Sequence, residues 1–344
     1  MDRPIGIGIL GCGAVSKVHA EAILRVPELK LCSVCSRSGG SAEKLGKAYG
    51  IGIHTNLSEF LSDPGLQAVS ICTPSGTHAD LGRAVAAAGK HVVVEKPIDV
   101  TLERADSLIE ACRRAGVRLA VSLQSRYLDA PRTIRHAVEA GRLGRLIMAG
   151  AHVKWFRSEQ YYRSAPWRGT LDLDGGGALI NQAIHTVDLL RFIAGPVRTV
   201  CGFADTLLHP YIEGEDTAVA ALRFENGALG VIEAATSANP GFKRRVEITG
   251  TEGTVILEGD AITRWSLKDG SANPCGPADD ISDGSSNPMA IDCEGHRRVM
   301  EDFAGAIAEG RAPAVDGERG RQSLELVRAI YESADSGGSP VRLR

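Results

Sequence analysis

Apolar and polar positions along the first third of the chain alternate between two rhythms. Short β-rich runs, IGIGIL (residues 5–10), LKLCSVCS (29–36), QAVSICT (67–73), KHVVVE (90–95) and VRLAVSL (117–123), are each followed by a stretch whose apolar residues return every three to four positions. Those helical stretches start at Ala14, Ser41, His78 and Leu102, with one more after VRLAVSL. Strands separated by helices of about 10 to 15 residues predict a parallel sheet covered on both faces. After Gly144 the rhythm changes, and strand-like runs follow one another: LIMAGAHVKWF, VRTVCGFAD, DTAVAALRF, ALGVIEAAT, RRVEITG and TVILEG. Turn signals such as Glu225-Asn226-Gly227 and Thr251-Glu252-Gly253 separate several of them, which predicts an antiparallel sheet. Residues 269–290, rich in Gly, Ser, Asn, Asp and Pro, read as a long loop, and helices near 292–309 and 318–334 close the chain. The expectation is an α/β dinucleotide-type domain over residues 1–123, then an α+β domain over 124–344 with a large, mostly antiparallel sheet. The carboxyl-terminal segment is free to pack back on the first domain.

Composition narrows the partners. With 344 residues the chain is long enough for two cores, and 39 basic against 42 acidic residues, without a run of like charge, lack the basic footprint of a nucleic-acid binder. There is neither a signal-peptide pattern nor an apolar run of about 18 residues, so no membrane partner is expected, and a soluble, cytoplasmic protein with a small-molecule partner is. Of the eight cysteines, Cys12, Cys32, Cys72, Cys112 and Cys201 lie in apolar runs as small hydrophobes. Cys32 and Cys35 have C-x-x-C spacing, but strand alternation sends them to opposite faces, and no second ligand pair stands nearby; no metal site is expected.

GILGCGAVSKVHA (residues 8–20) follows a strand and opens a helix, the context in which a G-x-G-x-x-G pattern carries meaning. Gly11 permits a tight turn, Gly13 lets backbone approach a pyrophosphate, and the helix amino terminus at Cys12, Ala14 and Val15 offers unpaired amides to the anion. Ser16 stands where the third glycine would. Where a carboxylate would take the ribose hydroxyls of NAD, the end of the second strand carries Ser36 and Arg37. A hydroxyl and a guanidinium suit a 2′-phosphate, so NADP is the preferred cofactor and NAD the other; the arginine could also stack on adenine.

In GGGALINQAIHTVD (residues 175–188) Asn181 and His185 stand one turn apart in an otherwise apolar helical pattern. A buried histidine satisfied by a neighbour is the plain alternative to a catalytic one. Just ahead, KWFRSEQYYRSAPWRGTLDLDGGG (154–177) gathers Lys154, Trp155, Arg157, Tyr161, Tyr162, Trp167 and Arg168 in a chain with only 5% aromatic residues. Aromatic faces and planar guanidinium groups are what a sugar ring needs. Lys154, Arg126, Tyr162, Trp167 and Arg168, and more weakly His296, are therefore candidate substrate ligands; a strand edge with an oligomer contact is the alternative.

CTPSGTHADLGRAVAAAGKHVVVEKP (residues 72–97), with GCGAVSKVHA, the 175–188 segment and the tail from DFAGAI to AIYESA, resembles the glucose-fructose oxidoreductase, inositol dehydrogenase and MocA family over essentially the whole length. The resemblance implies a Rossmann domain, a sheet domain, an active site between them, and homodimers or homotetramers through the exposed sheet. It also implies that Lys96 of Glu95-Lys96-Pro97 reaches the nicotinamide ribose and the substrate hydroxyl; from position alone it could equally be a surface cation. Thr73, Pro74, Ser75, His78 and Glu95 fall beside this strand edge and are assigned to the cofactor, with turn chemistry as the alternative for Pro74 and Ser75, a helix-start role for His78 and turn support for Glu95. The family pattern has an aspartate and a histidine four residues apart; His185 matches the histidine as general acid/base, whereas Asn181 holds the aspartate position and cannot take a proton. Asp188 could orient the imidazole, with a helix carboxylate satisfied by solvent as the alternative. The implied activity is NAD(P)-dependent hydride transfer at a ring carbon of a sugar, inositol or sugar derivative. A redox-neutral glycosidase or lyase and a non-catalytic dinucleotide-sensing regulator are the alternatives.

Overall fold

The computed structural model describes residues 3–276 and 293–343. The chain divides into two compact units, residues 1–124 with 292–322, and residues 125–291 with 323–344.

The first unit carries a six-stranded sheet in the order β3-β2-β1-β4-β5-β6, parallel throughout. Its strands are β1 (Ile5–Leu10), β2 (Leu29–Cys35), β3 (Gly52–His54), β4 (Ala68–Ile71), β5 (His91–Val94) and β6 (Leu119–Val121). Between them run α1 (Ala14–Leu24), α2 (Gly39–Tyr49), α3 (Leu57–Leu61), α4 (His78–Ala87) and α5 (Leu102–Ala115), and α9 (Glu294–Glu309) packs on α1. Every residue of β1 is buried, as a central strand covered on both faces requires, and this accounts for its unbroken apolar run. The pattern reading agrees with these elements, except that β3 and α3, three and five residues long, are too short to show a period. Adjacent strands β1 and β4 leave the sheet in opposite directions, which makes the carboxyl end of that pair the place where such sheets bind ligands.

The second unit is built on an eight-stranded sheet, β13-β12-β11-β7-β10-β9-β8-β14. Its strands are β7 (Leu146–Lys154), β8 (Val197–Asp205), β9 (Thr217–Phe224), β10 (Leu229–Ala235), β11 (Arg245–Gly250), β12 (Gly253–Glu258), β13 (Ala261–Leu267) and β14 (Val341–Arg342). All pairings are antiparallel except β7 with β10, which are far apart in sequence and run parallel. Helix α8 (Ile184–Ala194) covers β7 and β11 and packs on α6 (Asp129–Glu139); α7 (Glu159–Arg163) follows β7, and α10 (Gly317–Asp335) precedes β14. The other face of the sheet leaves Met148, Phe203, Val219 and Leu229 exposed. Behind α8 the buried Asp188 takes both Arg126 nitrogens at 2.6 and 2.7 Å and the Ser323 hydroxyl, a pairing whose one-sided removal typically costs about 3–5 kcal/mol.

All eight cysteines are free thiols, with Cys35 buried and Cys32 half-buried. Among the described residues no helix is long and apolar enough to cross a membrane. Of the loop expected at 269–290, residues 277–290 lie outside the described residues.

Candidate active site

In the first unit the chain leaves β1 through Gly11, whose φ of 102° and 2.7 Å approach of a would-be Cβ to the Cys72 carbonyl leave room for no side chain. Gly13 is extended and caps α1, whose first turn has neither a side-chain cap nor an acidic residue. Its amides and the positive end of the helix dipole are thus left for an anion, which is the fit a dinucleotide's phosphates require. Ser16 is buried and turns its hydroxyl back to the Gly13 carbonyl at 2.6 Å, so it fills the third-glycine position without pushing helix and strand apart. At the end of β2, Ser36 is half-buried and Arg37 exposed. The Cys12 thiol lies beside the Ser36 hydroxyl, and burial pushes its pKa up.

The ends of β4 and β5 reach the same edge. Thr73 and Pro74 are half-buried there, with Thr77 Oγ1 at 2.8 Å from Thr73 Oγ1 and 2.7 Å from the Pro74 carbonyl; Ser75 is buried. Lys96 is half-buried, and its amide donates to the carboxylate of Glu95 at 3.2 Å. Two residues assigned to the cofactor face the interior instead. His78 is buried, with its ring nitrogens 2.8 Å from the Pro97 carbonyl and 2.9 Å from the Thr73 carbonyl, and burial lowers its pKa. It braces the two strand exits. Glu95 is buried against His19 and His296, which removes His296 from the substrate ligands as well.

In the second unit the three glycines admit a close crossing. A Cβ on Gly177 would come within 1.8 Å of the Glu215 carbonyl oxygen, and one on Gly176, where φ is 147°, within 2.5 Å of the Tyr331 hydroxyl. This approach lets the buried Glu215 carboxylate accept from the Gly177 amide at 2.9 Å, the Leu179 amide at 2.6 Å and the Tyr331 hydroxyl at 2.9 Å. The segment Ala178–Ala183 then winds as a π-helical turn into α8, a widening often found at functional sites. From Ala178 to Leu190 every residue is buried except Asn181 and His185. The amide and the imidazole are therefore the two side chains this otherwise buried segment presents outward.

Asn181 is held in place. Its Nδ2 donates to the buried Asp174, and its Oδ1 accepts from Gln182 Nε2 at 2.6 Å. Gln182 also donates to the Tyr161 hydroxyl at 2.8 Å and accepts from Arg157 Nε at 3.1 Å. The Arg168 guanidinium lies over Tyr161 and Trp167, with ring centroids at 4.2 and 4.7 Å. Trp167 and Arg168 thus belong to one patch with Asn181, whereas three other expected substrate ligands do not. Arg126 is buried and consumed by Asp188, so it is structural, and Asp188 has its oxygens on Arg126 and Ser323 rather than on His185. Lys154 alternates to the side of β7 opposite its buried residues Ala149, Ala151 and Val153 and pairs with Glu233 at 2.5 Å. Tyr162 is buried, with its hydroxyl 2.7 Å from Thr236 Oγ1. Sequence reading missed Asp174, Gln182, Glu215, Tyr331 and His19; Asp174, immediately before the glycines, was the one with a visible signal.

Residues 5–123 match the oxidoreductase family with an NAD-binding Rossmann fold, and residues 132–256 match the GFO/IDH/MocA C-terminal domain. The chain belongs to the Gfo/Idh/MocA family of oxidoreductases, as its motifs predict. It is similar to the WlbA dehydrogenase from Bordetella pertussis, solved in complex with NADH and UDP-GlcNAcA, at 35% identity and a TM-score of 0.88 over 99% of each chain. Among curated relatives, myo-inositol 2-dehydrogenase of Thermotoga maritima is 30% identical over 96% of each chain. The scyllo-inositol 2-dehydrogenase (NAD(+)) of Bacillus subtilis is 30% identical over 100% of this chain and 97% of its own. The protein is an oxidoreductase with an NAD-binding Rossmann domain.

Burial raises the Glu215 carboxyl from 4.5 to about 7, against the pull of the Leu179 amide and the Tyr331 hydroxyl. A carboxyl raised in the folded state gives stability that is complete below its unfolded pKa and is lost as pH rises through the folded one. Between pH 4.5 and 8 this group removes about 3 kcal/mol, and Glu215→Gln removes that slope while lowering stability at pH 5, because its NH2 faces an amide donor. Urea unfolding of both proteins across this range measures the difference; parallel curves would contradict it.

Proposed function

We propose that the protein moves a hydride between a carbinol carbon of a sugar, cyclitol or sugar derivative and a nicotinamide dinucleotide, with His185 and Lys96 handling the hydroxyl proton. The observation that carries the reading is the outward presentation of Asn181 and His185 alone from a buried segment, with Asn181 fixed by Asp174 and Gln182. When bound, the dinucleotide supplies the hydride acceptor or donor at C4 of its ring. The chain does the rest. For oxidation, His185 takes the hydroxyl proton while the C–H bond gives up its electron pair, and for reduction it returns that proton. The Lys96 ammonium stabilises the developing alkoxide. Asn181, which cannot titrate in the working range, orients the hydroxyl or the ring. Trp167, Tyr161 and Arg168 offer a stacking face and hydrogen bonds to a ring substrate.

Purified protein mixed with NAD or NADP and a panel of inositols, neutral sugars, sugar acids and nucleotide-linked sugar acids tests this through the reduced-nicotinamide absorbance. Tight dinucleotide binding with no turnover on the whole panel would favour the regulator. Lys96→Ala is expected to lower kcat by about 10²–10⁴ and leave dinucleotide Kd within about threefold; equal loss of both contradicts the role.

Ser36 and Arg37, with no carboxylate beside them in the chain, support a preference for NADP, although a relative was solved with NADH. Ser36→Asp is expected to shift the kcat/KM ratio toward NAD by about tenfold or more, since a carboxylate repels a 2′-phosphate and accepts from ribose hydroxyls. An unchanged ratio places the adenosine elsewhere.

Asn181→Asp sets a second carboxylate against Asp174. Like charges at that range share a proton, so one pKa of the pair rises and the pH profile of kcat gains a new limb. A profile identical to that of the unaltered enzyme puts Asn181 outside the proton path. The free sheet face with Met148, Phe203, Val219 and Leu229 is the surface we assign to homodimer or homotetramer contact.

A further inference from the structure

Buried in the first unit is a charged cluster that the hydride reading does not use. His19 projects from α1, Glu95 stands just past β5, and His296 comes from α9; all three are buried, His19 completely at 0% exposure. His19 Nε2 lies 2.7 Å from Glu95 Oε1, and its Nδ1 lies 2.7 Å from Ser70 Oγ on β4. The His296 Nε2 is 3.6 Å from the same carboxylate oxygen, beyond hydrogen-bond range, and its ring meets that of His19 edge to face at 5.0 Å. The second carboxylate oxygen of Glu95 accepts from the Lys96 amide.

The charges in this cluster follow from its geometry. A carboxylate in a dry interior needs a cation or several donors, and of the two rings beside Glu95 it is His19 that has both nitrogens on hydrogen-bonding groups. Burial by itself lowers the His19 pKa, but Cys72 and the Glu95 carboxylate beside it raise it to about 10. For Glu95 burial acts upward, and His19 with His296 holds its pKa well below the usual range. His296 has its pKa lowered, chiefly by burial, and stays neutral. The groups facing the pair are thus Ser70 and Cys72 at the end of β4, Lys96 in the turn after β5 and His296 on α9.

We propose that His19 is a positioning residue for Lys96: through the Glu95 carboxylate it fixes the turn that carries the lysine and ties that turn to the helix whose amino terminus takes the dinucleotide phosphates. The inference rests on the assignment of Lys96 to catalysis. A shift of α1 on cofactor binding is then felt at the lysine, through two hydrogen bonds and one peptide unit. The three ligand-type atoms lie within 4.8 Å of one another, a spacing that also suits a metal ion; here a proton between His19 and Glu95 takes that place.

Competitive acylation of the lysines in the full-length protein with saturating dinucleotide, read peptide by peptide, tests the proposal without any substrate. In His19→Gln and in Glu95→Gln the labelling rate of Lys96 is expected to change by about threefold or more, as a shift of half a pKa unit requires, with the exposed Lys47 and Lys268 unchanged as internal standards. Where turnover is measured, kcat falls by about tenfold to a hundredfold and its pH profile moves, while dinucleotide Kd stays within about threefold. Unchanged Lys96 labelling in variants that melt within a few degrees of the unaltered protein overturns the inference. Retained turnover in Lys96→Ala overturns instead the catalytic assignment beneath it. Should neither variant fold, nitrogen NMR of the unaltered protein decides: His19 doubly protonated from pH 6 to 9 supports the proposal, and titration near 6.5 overturns it. Binding of one equivalent of Co²⁺, with an absorption band lost in His296→Ala, also overturns it.

Discussion

The crossing of Gly176 and Gly177 over Glu215 decides which side chains the second unit turns outward beyond its glycines. Helix starts leave amides without partners, and a buried start must find acceptors within the protein. Here one carboxylate supplies them, and it reaches the amides because the glycines let two backbones approach more closely than side chains allow. Once the start is pinned, the π-helical turn and α8 have a fixed rotation. That rotation turns Leu179, Ile180, Ile184 and Val187 into the core and leaves Asn181 and His185 outward. The apolar residues of this segment thus set the aim of the two polar ones.

Each unit buries one glutamate near its candidate chemistry, and the two are stabilised in opposite ways. Glu95 sits against an imidazolium and stays ionised far below neutral pH. Glu215 meets amides and a phenol, with no cation among the described residues touching it, and titrates at about 7. Neutral donors bind a carboxylate but do not cancel its charge, so burial prevails at Glu215 and the ion pair prevails at Glu95. Ion pairing suits a turn that must hold a lysine through the pH range, while the neutral cradle leaves the helix start sensitive to pH.

Periodicity and glycine spacing in the sequence reveal the parallel sheet, the phosphate turn and the outward pair at 181 and 185, because each leaves a local pattern. Long-range pairings leave none. Arg126 and Lys154 look alike in sequence as cations near an aromatic cluster, yet the first is spent on Asp188, 62 residues away, and the second pairs with Glu233 on the face of β7 opposite its buried residues. Strand alternation around Lys154 was readable in principle, since Ala149, Ala151 and Val153 define the covered face. The partner of Arg126 was not readable, nor was the cradle of Glu215, because both depend on which distant segments the sheet order brings together. For His78 and Glu95 the cofactor assignment gave the wrong direction, since position along a strand does not say whether a side chain turns to solvent or to the core; the helix-start role and the turn support are what the fold shows.

Asn181 bears on how the proton must travel. A carboxylate four residues before the histidine could share the proton or hold the imidazole charged, and either would spread the acid/base work over two groups. With an amide there, Asp174 is the nearest carboxylate to that position, and it is buried, bound to Asn181 Nδ2 and to the Gly169 amide at 2.8 Å. It can polarise the amide, but an amide relays no proton at working pH. On the proposed reading, acid/base work at this turn therefore falls to His185, with Asn181 acting as a fixed dipole whose direction Asp174 and Gln182 set. What such a turn lacks in proton sharing it replaces by orientation.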